Sequence, residues 1–232
     1  DNQLFALNGD TGERNWTHSG FAEVAGLLGG ASPAVGDGAV IVPYSSGEIF
    51  ALKEENGRPL WSDNLSSSRR LDAISTLADI RGLPVIDAGL VFAVSHSGRM
   101  VSIDIRSGTR AWEQSIGGVS MPWVAGQFVY VLTNDNQLVC LTQRGGRIRW
   151  VRNLPQFEES DNRDDPIKWS GPVLAGDRLI LSGSHGEAWS VSPYTGKVLG
   201  RLGLPGPVFL PPVVAGGTLY FLTEDGELVA MW

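Results

Sequence analysis

The side chains in this chain that could do chemistry are few and scattered. Cys140 is the only cysteine, which excludes an intrachain disulfide and a cysteine-rich zinc site. The three histidines, His18, His96 and His185, fall in a loop and two hairpin turns and read as surface residues. They form no Ser/His/Asp spacing, and no phosphate-cradling glycine motif accompanies them. Glu158, Glu159, Asp161, Asp164 and Asp165 make one acidic stretch. A calcium loop needs ligands at fixed spacing around a central glycine, which this stretch lacks, so it reads as a solvated loop. Arg144, Arg147, Arg149 and Arg152 cluster around the strand tryptophan Trp150 and read as a solvated strand face. With 18 Lys+Arg against 25 Asp+Glu, the net charge is −7. That balance gives no electrostatic footprint for nucleic acid or for a polybasic membrane contact.

The elements that hold these residues are read from an internal repeat. Six segments share a small/polar-x-apolar-x-small-apolar form. They are Asn2-Gln-Leu-Phe-Ala-Leu7, Gly47-Glu-Ile-Phe-Ala-Leu52, Gly98-Arg-Met-Val-Ser-Ile103, Asn136-Gln-Leu-Val-Cys-Leu141, Gly186-Glu-Ala-Trp-Ser-Val191 and Gly226-Glu-Leu-Val-Ala-Met231. Four are followed by a glycine with tryptophan four residues on: Gly12/Trp16, Gly57/Trp61, Gly108/Trp112 and Gly146/Trp150. At the fifth, Gly196, the tryptophan is replaced by Gly200. Upstream of every copy but the first lies a proline-led pair of short strands, at Pro33, Pro84, Pro122, Pro172 and Pro212. Each repeat thus holds four strands, A after the proline, B, C (the shared segment) and D (the tryptophan strand). Proline is tolerated at the start of A because no ladder donor is needed there. Glycine or asparagine between B and C supplies the positive φ of a tight hairpin. The small residue of C, cysteine at 140, is expected where neighbouring sheets press closest, which makes Cys140 a buried small hydrophobe rather than a nucleophile.

Composition agrees. The chain has 30 glycines and 13 prolines in 232 residues, turn chemistry that argues for many short strands. Its hydrophobic content of 42% is ample for a core. The uncharged run from Gln114 to Asn134 splits into two β-like pieces around Pro122 and is no transmembrane helix.

A repeat of about 40–50 residues with four short strands is the signature of a propeller blade. The turns Ala6-Leu-Asn-Gly-Asp-Thr-Gly-Glu-Arg-Asn-Trp16 and Ser102-Ile-Asp-Ile-Arg-Ser-Gly-Thr-Arg-Ala-Trp112 resemble the pyrroloquinoline-quinone-like propeller repeat. The expected fold is therefore all-β, one partial β-propeller of four-stranded antiparallel blades over 1–232. The blades are placed at 1–17 (strands C and D), 33–65, 84–116, 122–154, 172–203 and 212–232 (strands A to C). Such a chain opens and closes on the wrong strands to form a ring, so it reads as the C-terminal part of a larger propeller.

In an A–B–C–D meander the B–C turns and D–A connections share one face. Three D–A connections are long: Thr17–Ser32, Ser62–Leu83 and Val151–Gly171. Long connections on a rigid scaffold are a usual place for recognition. The first carries Phe21, Val24, Leu27 and Leu28. In the second, Leu71, Ile74, Leu77 and Ala78 fall near helical spacing, which fits either a short helix lying on the face or apolar side chains that only plug the ring entrance.

Leu27-Leu-Gly-Gly-Ala-Ser-Pro33, the run Ile74–Pro84, and the stretch from Asn134 to Leu228 resemble the BamB family, lipoproteins of the outer-membrane β-barrel assembly machinery. The resemblance implies an eight-bladed ring with about five blades present here and roughly three missing upstream. It implies a non-catalytic scaffold on the periplasmic side of the outer membrane, without a cofactor, docking the POTRA domains of BamA, with nascent outer-membrane proteins as further partners. Membrane attachment would come only through an N-terminal lipid anchor that is not in this sequence. Carried over by position, the family's docking residues fall on Ala25, Leu27 and Leu28 in the first connection and on Asp79 and Arg81 in the second. Leu28 stands where the family has arginine, and Arg81 reverses the sign of an aspartate. The rival readings are a quinone-dependent dehydrogenase on the same fold and a ligand-sensing propeller. The dehydrogenases bring a vicinal cysteine pair and a cluster of calcium ligands, which this sequence lacks.

Overall fold

The computed structural model describes residues 2–21, 31–66, 80–159 and 163–232. Its strands form antiparallel sheets in which sequence neighbours pair, and the chain divides into two compact units.

The first unit comprises residues 1–122 with 144–146. Strands β1 (Gln3–Leu7) and β2 (Arg14–Ser19) make a first, two-stranded sheet. The second sheet runs β3 (Ala34–Gly36), β4 (Ala39–Pro43), β5 (Glu48–Lys53) and β6 (Pro59–Asn64). The third runs β7 (Val85–Asp87), β8 (Leu90–Val94), β9 (Met100–Asp104) and β10 (Arg110–Gln114). The second unit holds residues 123–143 and 147–232. Its first sheet, the fourth of the chain, is β11 (Trp123–Ala125), β12 (Phe128–Leu132), β13 (Gln137–Thr142) and β14 (Ile148–Asn153). The fifth is β15 (Trp169–Ala175), β16 (Arg178–Gly183), β17 (Glu187–Val191) and β18 (Val198–Gly203). The sixth is three-stranded, β19 (Val213–Ala215), β20 (Thr218–Leu222) and β21 (Leu228–Met231).

Strands B and C read as near-continuous apolar runs because both of their faces are covered, as expected for sheets stacked face to face. In β4, Val40 and Val42 face the first sheet and pack with Leu4 and Trp16. The alternate residues Ala39 and Ile41 face the third sheet, against Val91, Ala93, Val101 and Ile103. In the second unit Tyr130, Leu132 and Leu138 meet Leu179, Leu181 and Trp189. Ile180 and Ala188, on the opposite face of the fifth sheet, meet Phe221 and its neighbours in the sixth. The proline-led A strands hold with one difference. Strand β15 starts at Trp169, ahead of Pro172, and its register slips between Ser170 and Val173. A bulge there accommodates a residue with no N–H to give the ladder.

The register explains the repeated small residue. Ala51 pairs with Ile41 on one side and Trp61 on the other. Ser102 pairs with Phe92 and Trp112, and Cys140 with Tyr130 and Trp150. A small centre in each row leaves room for the indole beside it. Cys140 is buried, and burial pushes its thiol up to about 12, so it is packing rather than a nucleophile.

Trp16, Trp61 and Trp150 are each held by the next sheet. Trp16 Nε1 donates to Glu54 O at 3.0 Å, Trp61 Nε1 to Ile105 O at 2.7 Å and Trp150 Nε1 to Pro193 O at 3.0 Å. The turn glycine of that next sheet lies on the ring. A Cβ at Gly57, Gly108, Gly146 or Gly196 would sit 2.5–2.6 Å from Trp16, Trp61, Trp112 or Trp150 respectively. These glycines also have φ between +62° and +71°, so the backbone and the ring both require glycine.

Candidate docking face

Hydrogen bonds tie the start of each D–A connection to the B–C turn of the same sheet. Leu65 N donates to Gly47 O at 2.7 Å, Leu154 N to Asn136 O at 2.9 Å and Leu204 N to Gly186 O at 2.7 Å. Gly20 N makes the same kind of bond to Asn2 O at 3.0 Å. The turns themselves are closed by positive-φ residues, glycine at 47, 98, 186 and 226 and asparagine at 136, as their sequences require. Within each sheet, turns and connections therefore share one end.

In the first unit the base of the first long connection is a polar cluster. Asn2 Oδ1 accepts from Ser45 Oγ at 2.9 Å, while Asn2 Nδ2 donates to Phe21 O at 2.6 Å. Phe21 N donates to Glu48 Oε2 at 3.2 Å, and Ser46 Oγ donates to the same oxygen at 2.8 Å. His18 Nδ1 lies 2.6 Å from Tyr44 Oη. Burial, with the Glu48 carboxylate second, pushes the Tyr44 phenol up to about 12. Burial also lowers the His18 imidazole, against a smaller upward pull from Glu48. Both shifts favour the neutral forms of the pair, a protonated phenol beside an uncharged imidazole. Phe21, by contrast, is 74% exposed at the mouth of the connection.

The second connection is anchored just as closely. Leu65 O accepts from Ser95 Oγ at 3.1 Å and Ser97 Oγ at 3.2 Å, both in the next B–C turn. At its far end Ile80 is buried, Arg81 is exposed, and Gly82 lies so close to Ser120 O that a Cβ would sit 2.6 Å from it. Leu83, Val119 and Met121 are exposed beside this contact. Of the five residues expected to dock a partner, Arg81 is thus at the surface, while Ala25, Leu27, Leu28 and Asp79 lie outside the described residues. So do Val24 and the helical spacing at Leu71, Ile74, Leu77 and Ala78.

The acidic connection, in the second unit, is more ordered than its composition suggested. Phe157 bridges Pro166, and Glu158 N donates to Asp165 O at 3.2 Å. Asn136 Nδ2 and Trp169 Nε1 hold its base through Ile167 O and Pro155 O, at 3.0 and 2.9 Å. Glu158, Glu159, Asp164 and Asp165 are exposed on it, and Asp161 lies outside the described residues. Among the described residues no three His, Cys, Asp or Glu side chains gather where they could hold a metal.

The reading of the histidines as surface residues is corrected. His18 lies in β2 against Tyr44 and Phe50, with ring centroids 5.8 and 4.7 Å away. His185 sits edge-on to Trp169 at 5.0 Å with its Nε2 3.4 Å from Glu187 Oε2, and His96 is half-buried. They sit in turns and strand ends, but aromatic side chains of the sheets pack on His18 and His185 there. The clusters around Asn2, Tyr44 and Glu48 and around Ser95 and Ser97 were missed as well. Their sequence signal is the recurrent serine of the B–C turns, in Tyr44-Ser-Ser-Gly47 and Ser95-His-Ser-Gly98.

The family described as "Outer membrane protein assembly factor BamB" matches residues 1–152 and 158–231. The assembly factor BamB of Yersinia pestis is 28% identical over 228 residues, covering 98% of this chain and 56% of that protein. The chain spans about half the length of the curated relatives it matches. Among solved structures, BamB from Moraxella catarrhalis superposes with a TM-score of 0.83 at 20% identity, over 99% of this chain and 66% of the other. The quinohemoprotein alcohol dehydrogenase of Comamonas testosteroni superposes with a TM-score of 0.63 at 14% identity, over 99% and 43%. Both structures show the fold alone, a β-propeller of pyrroloquinoline-quinone-like repeats.

Proposed function

The chain belongs to the BamB family of outer membrane protein assembly factors, and from that premise we propose that it is a non-catalytic scaffold in outer-membrane protein assembly. It works on the periplasmic side of the outer membrane and docks the POTRA domains of BamA through residues 20–31 and 66–83. Nascent outer-membrane proteins are the further partners of the same machinery. Membership of the family carries this reading. Its physical support lies at the described ends of the two connections, both of which leave their sheets through hydrogen bonds to B–C turns. Ala25, Leu27 and Leu28 supply the apolar part of the contact, Asp79 and Arg81 the charged part. Arg81 is exposed and free of burial cost, and it suits a partner carboxylate where the family has the opposite charge.

Calorimetry with the partner's POTRA domains tests the site. Replacing Leu27, Leu28 and Asp79 together by alanine should weaken binding at least tenfold, and Arg81→Glu should weaken it alone. Unchanged affinity in both variants would remove these connections from the interface. The fold shared with a quinohemoprotein dehydrogenase favours a second reading, a quinone-binding propeller. Calcium-dependent uptake of quinone, followed by absorbance, would support that reading instead.

A further inference from the structure

The end of each sheet opposite its B–C turn carries the A–B and C–D turns, and the third and fifth sheets treat that end differently. The A–B turn is Ala88-Gly89 in the third sheet, inside the pair Asp87 and Leu90, and Gly176-Asp177 in the fifth, inside the pair Ala175 and Arg178. The C–D turns run from Asp104 to Gly108 and from Ser192 to Gly196, each closed by the glycine N donating to the first residue's carbonyl at 2.9 Å. Arg106 therefore stands where the fifth sheet has Tyr194, and Gly89 where it has Asp177. In the fifth sheet Tyr194 Oη donates to Asp177 Oδ1 at 2.7 Å and ties the two turns together. The third sheet has no carboxylate at Gly89, and the Arg106 guanidinium is exposed with no hydrogen-bond partner among the described residues. Between the turns lies an open depression of about 620 Å³, lined by Asp37 from the A–B turn of the second sheet and by Ala88, Gly89, Leu90, Asp104 and Arg106. That volume is within the usual range of small-molecule sites. Its frame is pinned, since Ile105 N donates to Gly89 O at 3.0 Å and Ile105 O accepts from Trp61 Nε1 at 2.7 Å. Asp104 Oδ1 accepts from Ser107 N at 2.8 Å and from Ser107 Oγ at 2.9 Å, and these bonds hold its carboxyl below the ordinary aspartate value.

We propose that this depression binds a free diamino acid of the lysine type, its carboxylate on Arg106 and its two ammonium groups on Asp37 and Asp104. Charge carries the argument. The lining presents two carboxylates and one guanidinium, so a ligand with one carboxylate and two ammonium groups leaves no charge unmatched. Arg106 offers the donor fork that suits a carboxylate. Leu90 is half-buried in the wall and gives the methylene chain between the charged ends an apolar surface to lie on. The charged groups stay at the solvent edge, where binding need not strip them of water.

The test is saturation-transfer NMR titration with L-lysine and, in parallel, with norleucine, which lacks the second ammonium, and cadaverine, which lacks the carboxylate. Lysine is expected to bind and each analogue to bind about threefold more weakly, the scale of one exposed ion pair. Gly89→Asp copies the fifth sheet, where Asp177 holds a φ of +65° at the same place, and nothing lies within 4 Å of a Cβ on Gly89. By giving Arg106 a partner it should erase the preference for lysine over cadaverine, with far-UV circular dichroism confirming the fold. Arg106→Gln should erase the same preference, and it decides the matter should Gly89→Asp fail to fold. Asp37→Asn should erase the preference for lysine over norleucine and leave that over cadaverine. No transfer to lysine, equal affinities for the three probes, or a preference that survives its variant would overturn the proposal.

Discussion

Replacing Gly108 by alanine isolates the contact that joins one sheet to the next. Gly108 has a φ of +71°, and a Cβ built on it would lie 2.6 Å from Cγ and 2.7 Å from Cβ of Trp61. Two costs follow. Holding an L-residue in the left-handed region costs about 1–2 kcal/mol. Forcing a methyl against a ring whose Nε1 is already tied to Ile105 O at 2.7 Å costs about 1–3 kcal/mol more, the usual range for overpacking. Gly12 provides the control. It occupies the same kind of turn with a φ of +72°, yet nothing lies within 4 Å of its Cβ position. Gly12→Ala should therefore cost only the backbone part, about 1–2 kcal/mol. The assay is urea unfolding followed by far-UV circular dichroism, on both single variants, on Trp61→Ala and on the Trp61→Ala/Gly108→Ala double variant. In the Trp61→Ala background, the cost of Gly108→Ala should fall to that of Gly12→Ala. The coupling read from that cycle is about 1–3 kcal/mol. Equal costs for Gly12→Ala and Gly108→Ala in the wild-type background would refute the argument.

Two further outcomes follow from the turns. Glu187 is held below the ordinary carboxylate value of 4.5, first by the hydrogen bond from Trp189 Nε1 and then by His185. Its contribution is therefore complete above pH 4.5 and lost as pH falls through its lower folded value. The urea midpoint of Glu187→Gln should accordingly fall less between pH 6 and pH 3.5 than that of the wild type. Ala88 holds a φ of +49° in the β7–β8 turn, beside Gly89 at +77°. Such a turn favours asparagine or glycine at both places. Ala88→Gly should raise stability by about 0.5–1 kcal/mol in the same unfolding assay, and a lower midpoint would contradict the turn assignment.

The sheets were legible because two local signals coincide in every repeat: period-two apolar runs and turn residues that tolerate positive φ. Tight turns fix register, so the row containing Cys140 follows from the hairpin at Asn136 once the strands are placed. The tryptophan contact was only half legible. The sequence places the tryptophan between adjacent sheets, which holds, but it does not name the partner: Gly108 packs on Trp61 of the sheet before and not on Trp112 of its own repeat. Spacing within a repeat carries no information about a contact between repeats. The histidines failed for a related reason. A turn position predicts exposure only when nothing packs on it, and here aromatic side chains do, Tyr44 and Phe50 on His18 and Trp169 on His185, leaving both half-buried. Of the docking face, the anchors are a property of backbone hydrogen bonds that any sequence of similar length could make, and only the serines of the B–C turns mark them.

The indole-on-glycine contact has a consequence for how such a chain can change in length. Each contact uses one residue from a sheet and one turn from its successor, so the first sheet joins the second, the second the third and the fourth the fifth with the same connector. A four-strand segment copied or excised in register would bring its own plug and its own socket, and the neighbours on either side would meet a familiar partner. Among the described four-stranded sheets the fifth is the exception. With Gly200 it carries a socket and no plug, so it can follow any other sheet, but placed ahead of one it would leave that sheet's turn glycine with no ring to rest on.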